Sequence, residues 1–406
     1  MTPPLVKSPA EKEGTCRFSA PVTPRAFSCR CGRPVFFGNS LCLACGTPLG
    51  YDPARRELLA LEPVEDSSEM QSRPATGLWR RADGGPGAER FWRCSNLATA
   101  ALCNWLVAEQ DTLPQLAPLC RCCRLTRTLP DLSVPEHALW WNRIEEAKRR
   151  LVSSLIGLNL PIQSKTEDAA QGWVFDLLRS APGQPPVVTG HDDGVITLDV
   201  HEADNACREQ RRTQLAEPYR TLLGHLRHES GHYYWQRLVE QGIWLEPFRA
   251  LFGDDRQDYA VALERHYAQG APADWGVRFV SAYASSHPWE DWAETWAHYL
   301  HMVDTLDTAR SFGLDGERVE LSYERFGVDL LADADLQEPA QEPAQPQRQQ
   351  RRQEFLRLLN GWMELTGVLN ELSRSMGVAD FYPFVLSAAV VKKLYLVHRV
   401  IAAGAP

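Results

Sequence analysis

Ten of the eleven cysteines lie within the first 123 residues, and no other feature restricts the fold so strongly. The opening stretch MTPPLVKSPAEKEGTCR carries no apolar segment of the secretory kind, which places the expected compartment in the cytoplasm. Thiols stay reduced there, so the cysteines call for metal rather than disulfides. Cys29-X-Cys31 and Cys42-X-X-Cys45 stand ten residues apart, with Gly46 able to turn the chain after the second pair. Four thiolates from two such knuckles close a tetrahedral zinc shell, and a closed shell is structural. Cys94, Cys103, Cys120 and Cys123 form a second set, in which Cys122 competes with Cys123 for the last place. Cys16 and Cys207 are left as free thiols.

Composition limits the rest. With 406 residues, 44% hydrophobic and 23% charged, the chain can bury a core and hold two to four domains. A net charge of −9 argues against a surface built wholly for nucleic acid or anionic membrane. A local basic face survives in Arg30, Arg33, Arg121, Arg124 and Arg127 beside the knuckles, and it keeps nucleic-acid contact open as an alternative. The longest apolar run, Phe381 to Val391, is interrupted by Pro383 and Ser387 and is too short to span a bilayer.

The pattern predicts an α+β protein with a flexible leader over 1–26 and a zinc-ribbon domain over 27–130. A mostly helical domain with a small sheet follows over 131–332. The low-complexity segment 333–352, with its repeated EPAQ, reads as a linker or loop, and 353–406 as packing helices. The helix opening the second domain is expected to be capped by Ser133, with Glu136 completing a capping box, and to end at Gly157. Strands are expected at Trp173–Leu178, Val187–Thr189 and Val195–Val200, the last two joined by an Asp-Asp-Gly turn. Helices are expected from Pro218 to about Gln241 and from Pro288 to Leu306, then over about 353–374 and 384–402.

Two of these helices carry chemistry. Residues 228–232 read His-Glu-Ser-Gly-His. Positions i and i+4 share a helix face, so both imidazoles can hold one metal while Glu229 reaches its open position as a base. The third donor is sought in HPWEDWAETWAHYLH, residues 287–301. Glu290 and Glu294 again share a face: one can complete the metal shell while the other accepts the second ring N–H of a ligand histidine. His287, His298 and His301 are the alternatives.

The segments FSCRCGRPVFFGNSLCLACGTPLGYDP, CNWLV, RTLPDLS, GHLRHESGHYYW and SSHPWEDWAETWAHYLH, with the tail YPFVLS, resemble the bacterial zinc-binding metallopeptidases that carry an N-terminal zinc ribbon, a branch of the gluzincin clan. The resemblance implies one catalytic zinc on His228, His232 and Glu290, with Glu294 orienting a ligand histidine, and two structural zincs in the ribbon. It implies hydrolysis of peptide or protein substrates through a zinc-activated water, with Glu229 as general base. It also implies that Tyr283, seven residues before Glu290, stabilises the oxyanion, and that the strand Val195–Val200 borders the cleft. A catalytically silent or nucleic-acid-associated binding protein on the same fold is the alternative.

Overall fold

Short strands separated by turn residues give the N-terminal part its character. The computed structural model describes residues 23–64, 77–85, 87–111, 117–180, 183, 185–214, 221–314, 319, 321, 323–335 and 345–404. Strands β1 (Phe27–Ser28) and β2 (Pro34–Val35) pair beneath the first knuckle. Gly32 and Gly46 close the two knuckle turns at φ of 78° and 71°, a region that costs a side chain strain. Their N–H groups donate to the carbonyls of Cys29 and Cys42, both at 2.8 Å. Strands β3 (Leu49–Asp52), β4 (Glu57–Pro63), β5 (Leu78–Arg81), β6 (Arg90–Arg93) and β7 (Leu106–Ala108) then form an antiparallel sheet in sequence order. Tyr51 of β3 and Trp105, just before β7, pack together fully buried and bridge the two ends of the strand order.

Strand β8 (Thr126–Thr128) leaves this unit. It pairs parallel with β9 (Val174–Leu178) in a second sheet, ordered β10-β11-β9-β8, with β10 at Gly190–Asp192 and β11 at Val195–Asp199. The pairing puts Thr126–Thr128, inside the range expected for the ribbon, into the sheet of the following domain. Asp193 and Gly194 form the turn at φ of 40° and 73°, so Asp192 faces Val195. That two-residue turn sets the returning strand at 190–192 rather than at the expected 187–189.

Helix α1 (Pro135–Gly157) ends where expected, but Ser133 does not cap it. Asp131 accepts the Ser133 N–H at 2.9 Å and shapes the approach, leaving Val134 at the cap with no side-chain bond. Helices α2 (Asn205–Gln214), α3 (Leu222–Leu238), α4 (Leu245–Phe252), α5 (Tyr259–Gln269), α6 (Trp275–Arg278), α7 (Pro288–Ser311), α8 (Gln345–Ser375) and α9 (Ala388–Ala403) follow. Helix α8 starts inside the segment expected to be a linker. Pro346 is tolerated in its first turn, and the Gln/Arg run behind it favours helix. Most of the EPAQ repeat, Cys16 and Pro218 lie outside the described residues.

Thr23 and Arg25, expected in the leader, are instead buried. The Thr23 N–H donates to Asp307 at 2.8 Å. Arg25 donates to Asp304 of α7 at 2.8 Å and to Ser153 and Ser154 of α1. Arg150 of α1 and Arg227 of α3 converge on the same carboxylate at 2.7 and 2.6 Å. One aspartate thus joins the entry to the ribbon with three helices. No helix among the described residues is long and apolar enough to cross a membrane.

Candidate metal centre and catalytic site

The site exists because α3 and α7 lie very close. A Cβ on Gly231 would stand 2.9 Å from the Ala293 Cα, so only glycine permits this approach. Two tryptophans of α7 fix the register, Trp292 donating to the Gly231 carbonyl at 3.0 Å and Trp296 to the Ser230 hydroxyl at 3.2 Å. Thr221 caps α3 by accepting the Gly224 N–H at 2.9 Å, and His287 caps α7 by accepting the Trp289 N–H at 3.1 Å.

Across this contact, His228, His232 and Glu290 each turn one donor atom inward, and the three atoms lie within 4.8 Å of one another. The two Nε2 atoms are 3.2 Å apart. That spacing is close to the edge, about 3.3 Å, of a tetrahedron with metal–nitrogen bonds of ~2.0 Å. The other ring nitrogen of His228 binds Glu294 Oε1 at 2.7 Å, and the Ser281 hydroxyl donates to Glu294 Oε2 at 2.6 Å. The Glu294 contact directs the remaining nitrogen of His228 at the shared point. Glu229 is buried beside it, and its Oε2 has no hydrogen-bond partner among the described residues.

Charge balance in the site favours a cation. Burial by itself would disfavour a charged His228, yet Glu290 and Glu294 outweigh it and raise its pKa well above the ordinary value. Burial would likewise raise the carboxyls, but the histidines override it, lowering Glu290 strongly and Glu294 to about 2. Positive charge among these donors is therefore stabilised, which fits a metal ion.

The alternative third donors are engaged elsewhere. His287 caps α7 and contacts the Gln257 carbonyl at 3.2 Å, His298 binds the Tyr382 hydroxyl at 2.6 Å, and His301 meets Arg227. Tyr283 stands beside the site with its ring centroid 6.0 Å from that of His228. β10 and β8 are the edge strands of the second sheet, while β11, expected to border the cleft, lies inside it. From β10 the His191 ring lies nearly parallel to that of His232, centroids 6.4 Å apart, and burial lowers its pKa to about 3. Lys393 of α9 reaches Asp291, the neighbour of Glu290, at 2.5 Å, and the Arg278 carbonyl at 2.8 Å. Sequence reasoning missed His191, Lys393 and Tyr259, whose phenol donates to Glu290 Oε1 at 2.7 Å. No local spacing marks any of the three.

Both cysteine sets also assemble. Cys29, Cys31, Cys42 and Cys45 gather their sulfurs within 4.8 Å, as do Cys94, Cys103, Cys120 and Cys123. Contacts of 3.6 Å for Cys29–Cys45, 3.8 Å for Cys31–Cys42 and 3.6 Å for Cys103–Cys120 approach the ~3.8 Å edge of a tetrahedral zinc–thiolate shell. Cys122 is buried but stays outside the second group, and Cys207 stands apart near His201 at 3.6 Å.

Comparison with known proteins agrees with this division. Residues 137–400 match a family model described as "Putative zinc-binding metallo-peptidase", and residues 26–134 match a zinc-ribbon domain. Uncharacterized proteins of Mycobacterium tuberculosis and Mycobacterium bovis are 41% identical over 384 residues, spanning 94% of this chain and 96% of theirs. No solved structure matches the chain.

Proposed function

Because the chain belongs to this zinc-binding metallo-peptidase family, we propose that it is a zinc-dependent peptidase of the gluzincin type acting on peptide or protein substrates. The observation that carries the reading is the convergence of His228, His232 and Glu290 on one point with an unpartnered Glu229 beside them. These three residues hold one catalytic zinc, and the two cysteine sets hold one structural zinc each. Bound there, zinc supplies Lewis acidity toward a peptide carbonyl and lowers the pKa of a water toward ~7.

The chain's own groups do the rest. Glu229 takes the proton from the attacking water and returns it to the leaving amine. Tyr283 donates to the developing oxyanion, a contact of the kind worth about 3 kcal/mol. Glu294 holds His228 in the tautomer that presents Nε2 inward. The free edge of β10 offers backbone groups to an extended substrate. We place the activity in the cytoplasm, where the ribbon thiols remain reduced. Arg124 and Arg127 are paired with Glu167 and Asp176, which leaves less of the basic face for nucleic acid.

A peptide-library digest read by mass spectrometry tests the activity. Cleavage should vanish on chelation and return with zinc, and elemental analysis should find three zincs per chain. Intact peptides after incubation with the fully loaded protein would overturn the reading.

The two glutamates should separate. Glu290→Ala removes a donor, so the catalytic zinc should be lost at chelator concentrations the wild type withstands. Glu294→Ala only frees a histidine, and its zinc affinity or activity should fall ~10–100-fold. Chelator titration of both variants decides, and the reverse order would exchange their roles.

A further inference from the structure

The two oxygens of Glu290 have different surroundings. Oε1 accepts the Tyr259 phenol at 2.7 Å and stands farther, 3.5 Å, from His232 Nε2. Oε2 is buried, faces His228 Nε2 at 3.0 Å, and makes no aligned hydrogen bond among the described residues. Two electron-rich atoms side by side in this way share a third point rather than pointing at each other.

Tyr259 is well placed to keep this division. It opens α5, which Asp258 caps by accepting the Val261 N–H at 3.0 Å. Its ring stands edge-on to His287 and Trp289, with centroids 5.3 and 5.6 Å away. His287 also reaches the Gln257 carbonyl at 3.2 Å, steadying the loop just before it. The histidine that could have been a metal donor thus supports the tyrosine instead.

We propose that Tyr259 is a positioning residue that reserves Oε1 of Glu290 and so restricts this glutamate to one-oxygen metal ligation through Oε2. The inference rests on the metal-centre reading above. A carboxylate free to swing can bind through both oxygens and occupy the position that a peptide carbonyl needs. A hydrogen bond from a neutral phenol to a carboxylate is charge-assisted and strong enough to oppose that swing. Tyr259 leaves that position open without touching it.

Cobalt(II) in place of the catalytic zinc reads the coordination number directly, since four-coordinate cobalt absorbs visible light several-fold more strongly than five-coordinate cobalt. The histidine site of the full-length protein is emptied by mild chelation and refilled with cobalt, and thiolate charge-transfer bands reveal any exchange in the ribbon. The wild type should give the intense four-coordinate spectrum. Tyr259→Phe should lose several-fold in visible absorption, and in the zinc enzyme its kcat should drop about 10–100-fold with KM little changed. Tyr259→Phe keeps the ring, its edge contacts with His287 and Trp289 and the Asp258 cap of α5, and removes only the hydroxyl, so the fold is expected to hold. Identical cobalt spectra in the two proteins would overturn the role of Tyr259 and leave the metal centre standing. A wild type that takes up no metal at the histidine site would overturn the centre itself, and this inference with it.

Discussion

Glu229→Gln should bind as much zinc as the wild type and cleave peptides ~10²–10⁴-fold more slowly, the range a positioned base contributes. The substitution keeps the shape of the side chain and touches none of the three converging donors. It removes only the capacity to accept a proton. The buried Oε2 has no partner among the described residues, so the loss strips no structural bond from it. Zinc analysis and single-turnover cleavage on the same sample check both halves. A variant that cuts at the wild-type rate would remove Glu229 from the mechanism. One that loses zinc would make it part of the metal shell. His232→Ala provides the contrast, losing metal and turnover together.

The second large effect concerns stability. Asp304→Ala should destabilise the fold by ~3–5 kcal/mol, because it leaves buried guanidiniums without their counter-charge. Arg25 and Arg227 have side chains only 2% and 3% exposed. A fall in melting temperature of roughly 4–6 °C is expected from a loss of that size in a chain this long. Asp254→Ala, which breaks an exposed pair with Arg256, should leave the melting temperature where it was. Equal melting of both variants with the wild type would remove the buried cluster as a source of stability. Burial alone would raise the Asp304 pKa, but Arg25, Arg227 and Arg150 together hold it well below the ordinary range. The stability it lends is therefore complete above the unfolded value of ~3.9 and is lost as pH falls below it.

The features legible in the sequence are those in which chemistry and spacing are local. Two imidazoles one turn apart, two carboxylates one turn apart and paired cysteines can be read from spacing alone, and the structure gathers those same side chains. Tyr259 could not be read this way, because 31 residues separate it from Glu290 and only the path of α5 and α6 brings them together. Arg25 and Asp304 are 279 positions apart, and a lone arginine in a Pro/Ser-rich leader has the look of a solvated residue. The cap of α1 went astray for a local reason: Asp131, two residues ahead of Ser133, takes the backbone N–H and sets the turn first. Gly231 was visible as a letter between two histidines, but the need for it comes from α7, sixty residues further on.

The contact between Lys393 and Asp291 makes the neighbourhood of the third donor wait for residues made much later in synthesis. Domains emerge from the ribosome N-terminal end first and fold as they appear. The ribbon cysteines are all out by residue 123 and can take metal early. Asp291 beside the third donor is buried, and burial raises its pKa to about 7 against the pull of Lys393. Its partner is made 102 residues later, so Asp291 lacks its counter-charge until α9 has emerged. The ribbon can therefore form well before the surroundings of Glu290 are complete.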